Sequence, residues 1–275
     1  MGCALAGCSL LTPLDGLEAI DAAAGGDAAA DTKIDVEAGV CGSLHGPSMI
    51  VVPSLNPSGS YCIDSTEVTQ AQYKAFLDAN VAPSTQPSFC ASNTSFYPDL
   101  VQNECASHPF DPTGAPTMPA ACVDWCDAYA FCAWAGKRLC GEIGHDAGPL
   151  DPQLINAAVH SQWFNACSQE GKLVYPYGNA YDASACNGAD QPVRVVVPVA
   201  TMPGCVGGYP GIFDMSGNVS EWESSCTDAA ADAAECNVRG GSTSELSAQL
   251  ACGQVNFAGR AVAAFNLGIR CCADL

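Results

Sequence analysis

The chain has 275 residues, enough for one large domain or two small ones, and a formal net charge of -20 set by 9 basic residues against 29 acidic ones. A surface so poor in cations repels phosphate backbones and anionic headgroups, which excludes nucleic acid and anionic lipid as partners. Eighteen cysteines exclude a reduced cytosolic enzyme. No C-x-x-C pair occurs, which argues against zinc ribbons and clusters, so the cysteines read as a disulfide framework made in an oxidising compartment.

At the N-terminus, Leu5-Ala6-Gly7-Cys8 looks like the lipobox of a bacterial lipoprotein, in which Cys8 is cleaved at and lipidated. Residues 1–8 are then a signal remnant. Only seven residues precede Cys8, with no positive region and no full apolar core, and this departs from the pattern. Removing Cys3 and Cys8 leaves sixteen cysteines, an even number that suits a fully paired exported domain. Residues 9–40 are dominated by Ala, Asp and Gly and hold no aromatic, so they read as a flexible acidic tether. No other apolar run is long enough to cross a membrane. The expected location is therefore the bacterial cell envelope, with the protein exported and held at an outer or inner membrane only through a lipid anchor. Residues 41–275 form one globular domain, with no repeat and no second linker.

Within that domain three helices are expected. Thr69-Gln-Ala-Gln72 is a capping box, followed by Tyr73, Phe76 and Leu77 on one face. Asp124 caps a second helix with Trp125, Tyr129 and Cys132 at i, i+4 and i+7, stopped by Gly136. Asp151-Pro152 opens a third, carrying Leu154, Ile155, Ala158 and Val159. The remainder is Gly, Pro, Asn and short β-prone runs such as "MIVVPS" and "VRVVVPVA". The fold class is α+β: irregular, low in regular secondary structure and stapled by disulfides.

"YCIDSTEVTQAQYKAFL", "CVDWCDAYAFCAWAGKRL", "YPYGNAYD", "GIFDMSGNVSEW", "VRGGS" and "LGIRCC" follow one another in an order that resembles the formylglycine-generating enzyme, or sulfatase-modifying factor, family. The resemblance covers roughly residues 45–273. It implies an irregular C-type-lectin-like fold, and an activity that oxidises a sulfatase cysteine to formylglycine on copper held by two cysteines. It also implies structural Ca2+. The ligands would be the side chains of Asp214 and Glu221 with the carbonyls of Gly217 and Val219, and a weaker second set would be Asn187, Gly188 and Asp190. Hard oxygens around a tight glycine corner suit calcium, whereas the plain alternative has Asp214 capping a turn and Glu221 exposed. Trp222 reads as core packing.

The family's structural disulfides imply Cys132–Cys271 and Cys167–Cys252, with Cys252 placed 19 residues before Cys271. Its copper cysteines follow RGGS, where this chain reads "RGGSTSELSAQLACGQ". An alternative alignment puts Cys252 on one catalytic position, and its partner is still missing. Linear Cu(I) needs two soft ligands, so copper is not expected. "KRLCGEIGHD" also replaces the family's "KRLPTEAEWE" and adds Cys140, read as another staple. His45, His108, His145 and His160 show no metal-ligand spacing, and no G-x-S-x-G elbow supports a serine triad. Asn93 and Asn218 sit in glycosylation-type sequons and read as loop polar residues. Arg239 and Ser242 lie in the family's substrate cleft by resemblance; a glycine-rich turn with a salt-bridged arginine accounts for them equally well. Two functions stand: a tethered binding or scaffold module for a peptide, protein or glycan, and a formylglycine-generating-type or divergent oxidoreductase.

Overall fold

Thr69 and Gln72 close the capping box reciprocally, and helix α1 runs Gln70–Asp78 with Tyr73 and Phe76 buried. Asp124 and Asp127 do the same for α2, Trp125–Trp134, which Ala135 ends and Gly136 follows at φ 76°. These caps satisfy N–H groups that the first helical turn leaves without partners. The computed structural model describes residues 41–275 apart from 43, 55–58, 145–147, 193 and 228–232. Cys8, the tether and His145 lie outside the described residues.

Two four-stranded sheets carry the domain. The first joins β1 (Met49–Val52), β2 (Tyr61–Asp64), β8 (Cys271–Asp274) and β3 (Arg138–Leu139) in that order, all antiparallel. The second is ordered β6 (Asn256–Gly259), β5 (Glu235–Arg239), β4 (Ser220–Cys226), β7 (Leu267–Gly268), with only the β4–β7 pair parallel. β7 and β8 belong to different sheets, with Ile269 and Arg270 between them, so the chain changes sheet at a fully buried arginine. One apolar cluster gathers Tyr73, Phe76, Trp125, Phe131 and Trp222; another gathers Ile63, Trp163, Ile212 and Met215.

The third helix departs from expectation. Residues 151–160 form turns, and α3 runs Gln162–Ser168 with Ser161 as its cap. The physical reason is that Leu154 and Ile155 are only half-buried and Val159 is exposed, so no apolar face holds a helix there. The carbonyl of Ile155 instead receives Arg239 Nη2, and that of His160 receives Ile143 N. The run "VRVVVPVA" likewise gives no strand over 194–200. Its backbone bonds irregularly, Val197 N to Asn218 Oδ1 and Val199 N to Thr117 O.

All sixteen cysteines from Cys41 to Cys272 are paired: 41–62, 90–126, 105–122, 132–271, 140–272, 167–252, 186–205 and 226–236. Three of the bonds close loops of 85 residues or more and so remove the most freedom from the unfolded chain. Denaturation without reductant, followed by alkylation and mass spectrometry, is expected to find no labelled cysteine between 41 and 272. Two labelled cysteines at 167 and 252 would mean that this bond is absent in the protein.

Candidate functional site

Strand β4 sends alternate side chains to opposite faces. Ser220 and Trp222 face one way, and the Trp222 indole donates from Nε1 to Val123 O. Glu221 and Glu223 face the other, into a buried polar layer. Glu223 accepts Ser161 Oγ at 2.9 Å and Arg239 Nε at 2.9 Å. Glu221 accepts Arg270 Nε at 2.9 and 2.8 Å and Trp163 Nε1 at 2.6 Å.

The corner leading into β4 needs unusual backbone. Asp214, Gly217 and Asn218 all have positive φ, and a Cβ on Gly217 would meet Asn187 O at 2.5 Å. Asn218 then ties the corner together. Its Nδ2 donates to Glu67 Oε1 at 3.0 Å, and its Oδ1 accepts Asn187 Nδ2 at 3.0 Å. Asp214 is buried, accepts Ala200 N, and lies within hydrogen-bonding reach of Glu67. Because both are carboxyl groups, one of them must hold a proton for that contact to be a hydrogen bond; with both ionised, neither donates and the buried Glu67 Oε2 is left without a partner. Burial pushes the Glu67 carboxyl well above the ordinary carboxylate range, and the charges of Asp214 and Glu221 push it further. Burial likewise raises Asp214 to about 6, against the lowering effect of the Ala200 N–H and Arg270.

The residues read from the sequence as calcium ligands are thus partly assembled. Asn187 bridges Gly217 at the corner, Asp214 is buried three residues before Gly217, and Glu221 is buried beside Arg270 rather than exposed. Gly188 sits against Leu250, and Asp190 is exposed, accepting the Tyr181 hydroxyl. The donors at the corner are hard oxygens, but among the described residues no group of three or more His, Cys, Asp or Glu side chains is placed to hold a metal ion. Glu67 carried no signal in sequence as a site residue, since its contact with Asn218 spans 151 residues.

On the Trp222 face, a cleft of about 650 Å³ opens over the second sheet. Ser220, Val238 and Leu267 supply its floor, and Asn103, Glu245, Gln249, Asn256, Phe257 and Asn266 contribute to its walls. Phe257 is 55% exposed. The RGGS turn braces the wall from behind. Ser242 is buried, contacts Glu245 Oε2 through its backbone N and its Oγ, and accepts Asn266 Nδ2 at 2.8 Å. Gly241 has φ 64°, and a Cβ there would meet Gln249 O at 2.8 Å. Arg239 points away, buried against Glu223 and over the Phe164 ring. No cysteine or histidine lines the cleft, and Cys252 is bonded to Cys167, so the residues present do not fit copper. A smaller hollow of about 410 Å³ holds Asp99, Asp124 and Asp127, but these carboxylates are already occupied as caps for neighbouring N–H groups.

Residues 54–275 match the sulfatase-modifying factor enzyme 1-like domain. A bovine formylglycine-generating enzyme is 32% identical over 114 residues, covering 40% of this chain and 27% of that protein. A bovine protein named inactive C-alpha-formylglycine-generating enzyme 2 is 31% identical over 124 residues, covering 41% of this chain and 35% of that protein. The chain therefore spans about a third or less of the length of these relatives. PvdO from Pseudomonas aeruginosa superposes with a TM-score of 0.51 at 18% identity, covering 82% of this chain and 91% of that one, which is a likeness of fold.

Removing Arg270 leaves Glu221 buried without its counter-charge. Arg270→Met is expected to destabilise the domain by about 3–5 kcal/mol in denaturant unfolding. The buried acids give a second expectation. Between the unfolded carboxylate range and the raised folded value of about 6 for Asp214, the native state holds a proton that the unfolded state has released. In calcium-free protein, stability therefore falls as pH rises through about 6. The melting midpoint should drop between about pH 4 and 6 and level off above, and Asp214→Asn should flatten that drop.

Proposed function

Because this chain belongs to the sulfatase-modifying factor enzyme 1-like family, we propose that it uses the family's fold as a binding module and does not oxidise cysteine. The observation that carries this reading is the chemistry of the cleft. Its lining offers amides, one carboxylate, the Ser220 hydroxyl and an exposed phenyl ring, where copper would need a pair of thiolates. Such a lining suits a neutral ligand rich in hydrogen-bonding groups, a peptide segment or a glycan, held by a few directed polar contacts over a mostly apolar floor. The two bovine relatives, one named as the enzyme and one as inactive, lie at nearly the same identity. Overall similarity therefore does not choose between the two readings, and the cleft chemistry supports the binding module.

The same reading puts the protein outside the reducing cytosol, because eight disulfides are stable only where thiols stay oxidised. Export with a lipid on Cys8 and an acidic tether would hold the module at the envelope while letting it reach a partner. Structural calcium at the Asp214 corner completes the proposal. A ligand that binds only the native state raises its stability, so chelator should lower the melting midpoint of calcium-loaded protein, and an unchanged midpoint removes calcium from the reading.

The catalytic question has a direct test. Full-length protein given a sulfatase-type cysteine peptide, copper and oxygen is expected to make no formylglycine above background. Copper-dependent turnover that Cys252→Ser abolishes would overturn the proposal in favour of an oxidoreductase. For binding, peptide and glycan arrays probed with the wild-type chain should give hits that Phe257→Ala with Gln249→Ala weakens at least about tenfold.

A further inference from the structure

We infer that the ligand is a neutral glycan, and that Tyr175, Tyr177 and Tyr181 form a platform beside the cleft on which its pyranose rings stack. This rests on the reading above that the chain is a binding module. Tyr175 and Tyr177 flank Pro176 in a tight turn, closed by Tyr175 N donating to Gly178 O at 2.9 Å and Gly178 N donating to Tyr175 O at 3.1 Å. The turn sets the two rings parallel, with centroids 5.5 Å apart and planes 9° apart. Tyr181 meets Tyr175 at 5.5 Å with a tilt of 52°. Gly208 N donates to Pro176 O at 2.8 Å, and a Cβ on Gly207 would clash with that oxygen, so a close backbone approach holds the turn in place.

All three hydroxyls are anchored. Tyr175 donates to Ser247 O at 3.1 Å, Tyr177 to Asp182 O at 3.4 Å and Tyr181 to Asp190 Oδ2 at 2.9 Å. Rings fixed in this way have little freedom left to lose on binding. Tyr175 is buried, whereas Tyr177 and Tyr181 are half-buried, and among the rings of the described residues each of these two meets only Tyr175. Half-exposed aromatic faces suit the apolar C–H face of a pyranose. The rim suits its hydroxyls. Asp182 receives Ser184 on Oδ1 and Asp190 receives Tyr181 on Oδ2, so each exposed carboxylate keeps a second oxygen to accept from a sugar hydroxyl. A proline-rich peptide also packs on aromatic rings, but proline has no N–H to offer those carboxylates. Nucleotide phosphates are repelled by the net charge of -20. Platform and cleft share one segment: Ser247 O holds Tyr175, Glu245 O receives Ala189 N next to Asp190, and Glu245 and Gln249 line the cleft. A chain of several pyranoses is the ligand that uses both.

Isothermal titration of the full chain with cellohexaose, xylohexaose, mannohexaose and chitohexaose tests the inference. At least one of the four is expected to bind. Tyr177→Ala and Tyr181→Ala should each weaken that hexasaccharide at least about tenfold. Tyr181→Phe keeps the ring and should retain most of the affinity, which separates stacking from the loss of a hydroxyl. Tyr97→Ala removes an exposed tyrosine outside the platform and should bind as wild type. A hexasaccharide bound equally well by both alanine variants would overturn the platform while leaving the binding module. A chain that binds none of the four sugars but captures a peptide would overturn the glycan alone, and a chain that binds neither class would overturn the module as well. If Tyr177→Ala does not fold, Tyr177→Leu decides in its place: it keeps apolar bulk without an aromatic face, and unchanged affinity would overturn the platform.

Discussion

The Arg270–Glu221 ion pair is the constraint on which the two halves of the domain depend. Arg270 sits where the chain leaves the second sheet for the first. Its Nε bonds Glu221 on β4, its Nη1 bonds Asp64 O on β2, and its Nη2 bonds Phe213 O at the entry to the corner. A planar guanidinium with five donors can face three elements at once, which an ammonium on a flexible stem does less well. Burying such a group is unfavourable unless its donors are met. Here the partners come from both sheets, so the arginine is satisfied only when the sheets are in register.

That buried layer also determines what β4 can do on its other face. With Glu221 and Glu223 committed to arginines, the Trp222 face packs on the helices at one end and opens as a cleft at the other. The RGGS turn spans both sides. Arg239 anchors inward on Glu223, while Ser242 holds Glu245 and Asn266 toward the cleft. The turn thus braces the polar wall of the cleft from behind.

Disulfides account for how so little regular structure can hold such a site. Cys132–Cys271 and Cys140–Cys272 tie α2 and the chain following β3 to adjacent residues of β8, next to Arg270. Cys167–Cys252 pins α3 to the segment that ends the cleft wall. These links limit how far the unfolded chain can spread, which offsets the entropy of ordering long loops.

The sequence by itself determined the features that depend on neighbours along the chain. The capping boxes at Thr69 and Asp124, the glycine stop at 136 and the absence of a thiol pair after RGGS all rest on residues a few positions apart. The family motifs carried the fold class in the same local way. The helix expected from Asp151 failed because burial, which depends on the whole fold, left Leu154, Ile155 and Val159 without a surface to cover. Tertiary structure alone decided that Glu221 faces Arg270, that Glu67 meets Asn218 across 151 residues, and that Asn103, Phe257 and Asn266 share a cleft. Hydrogen bonds and charges act over a few ångströms, and only the folded chain sets which distant residues come that close.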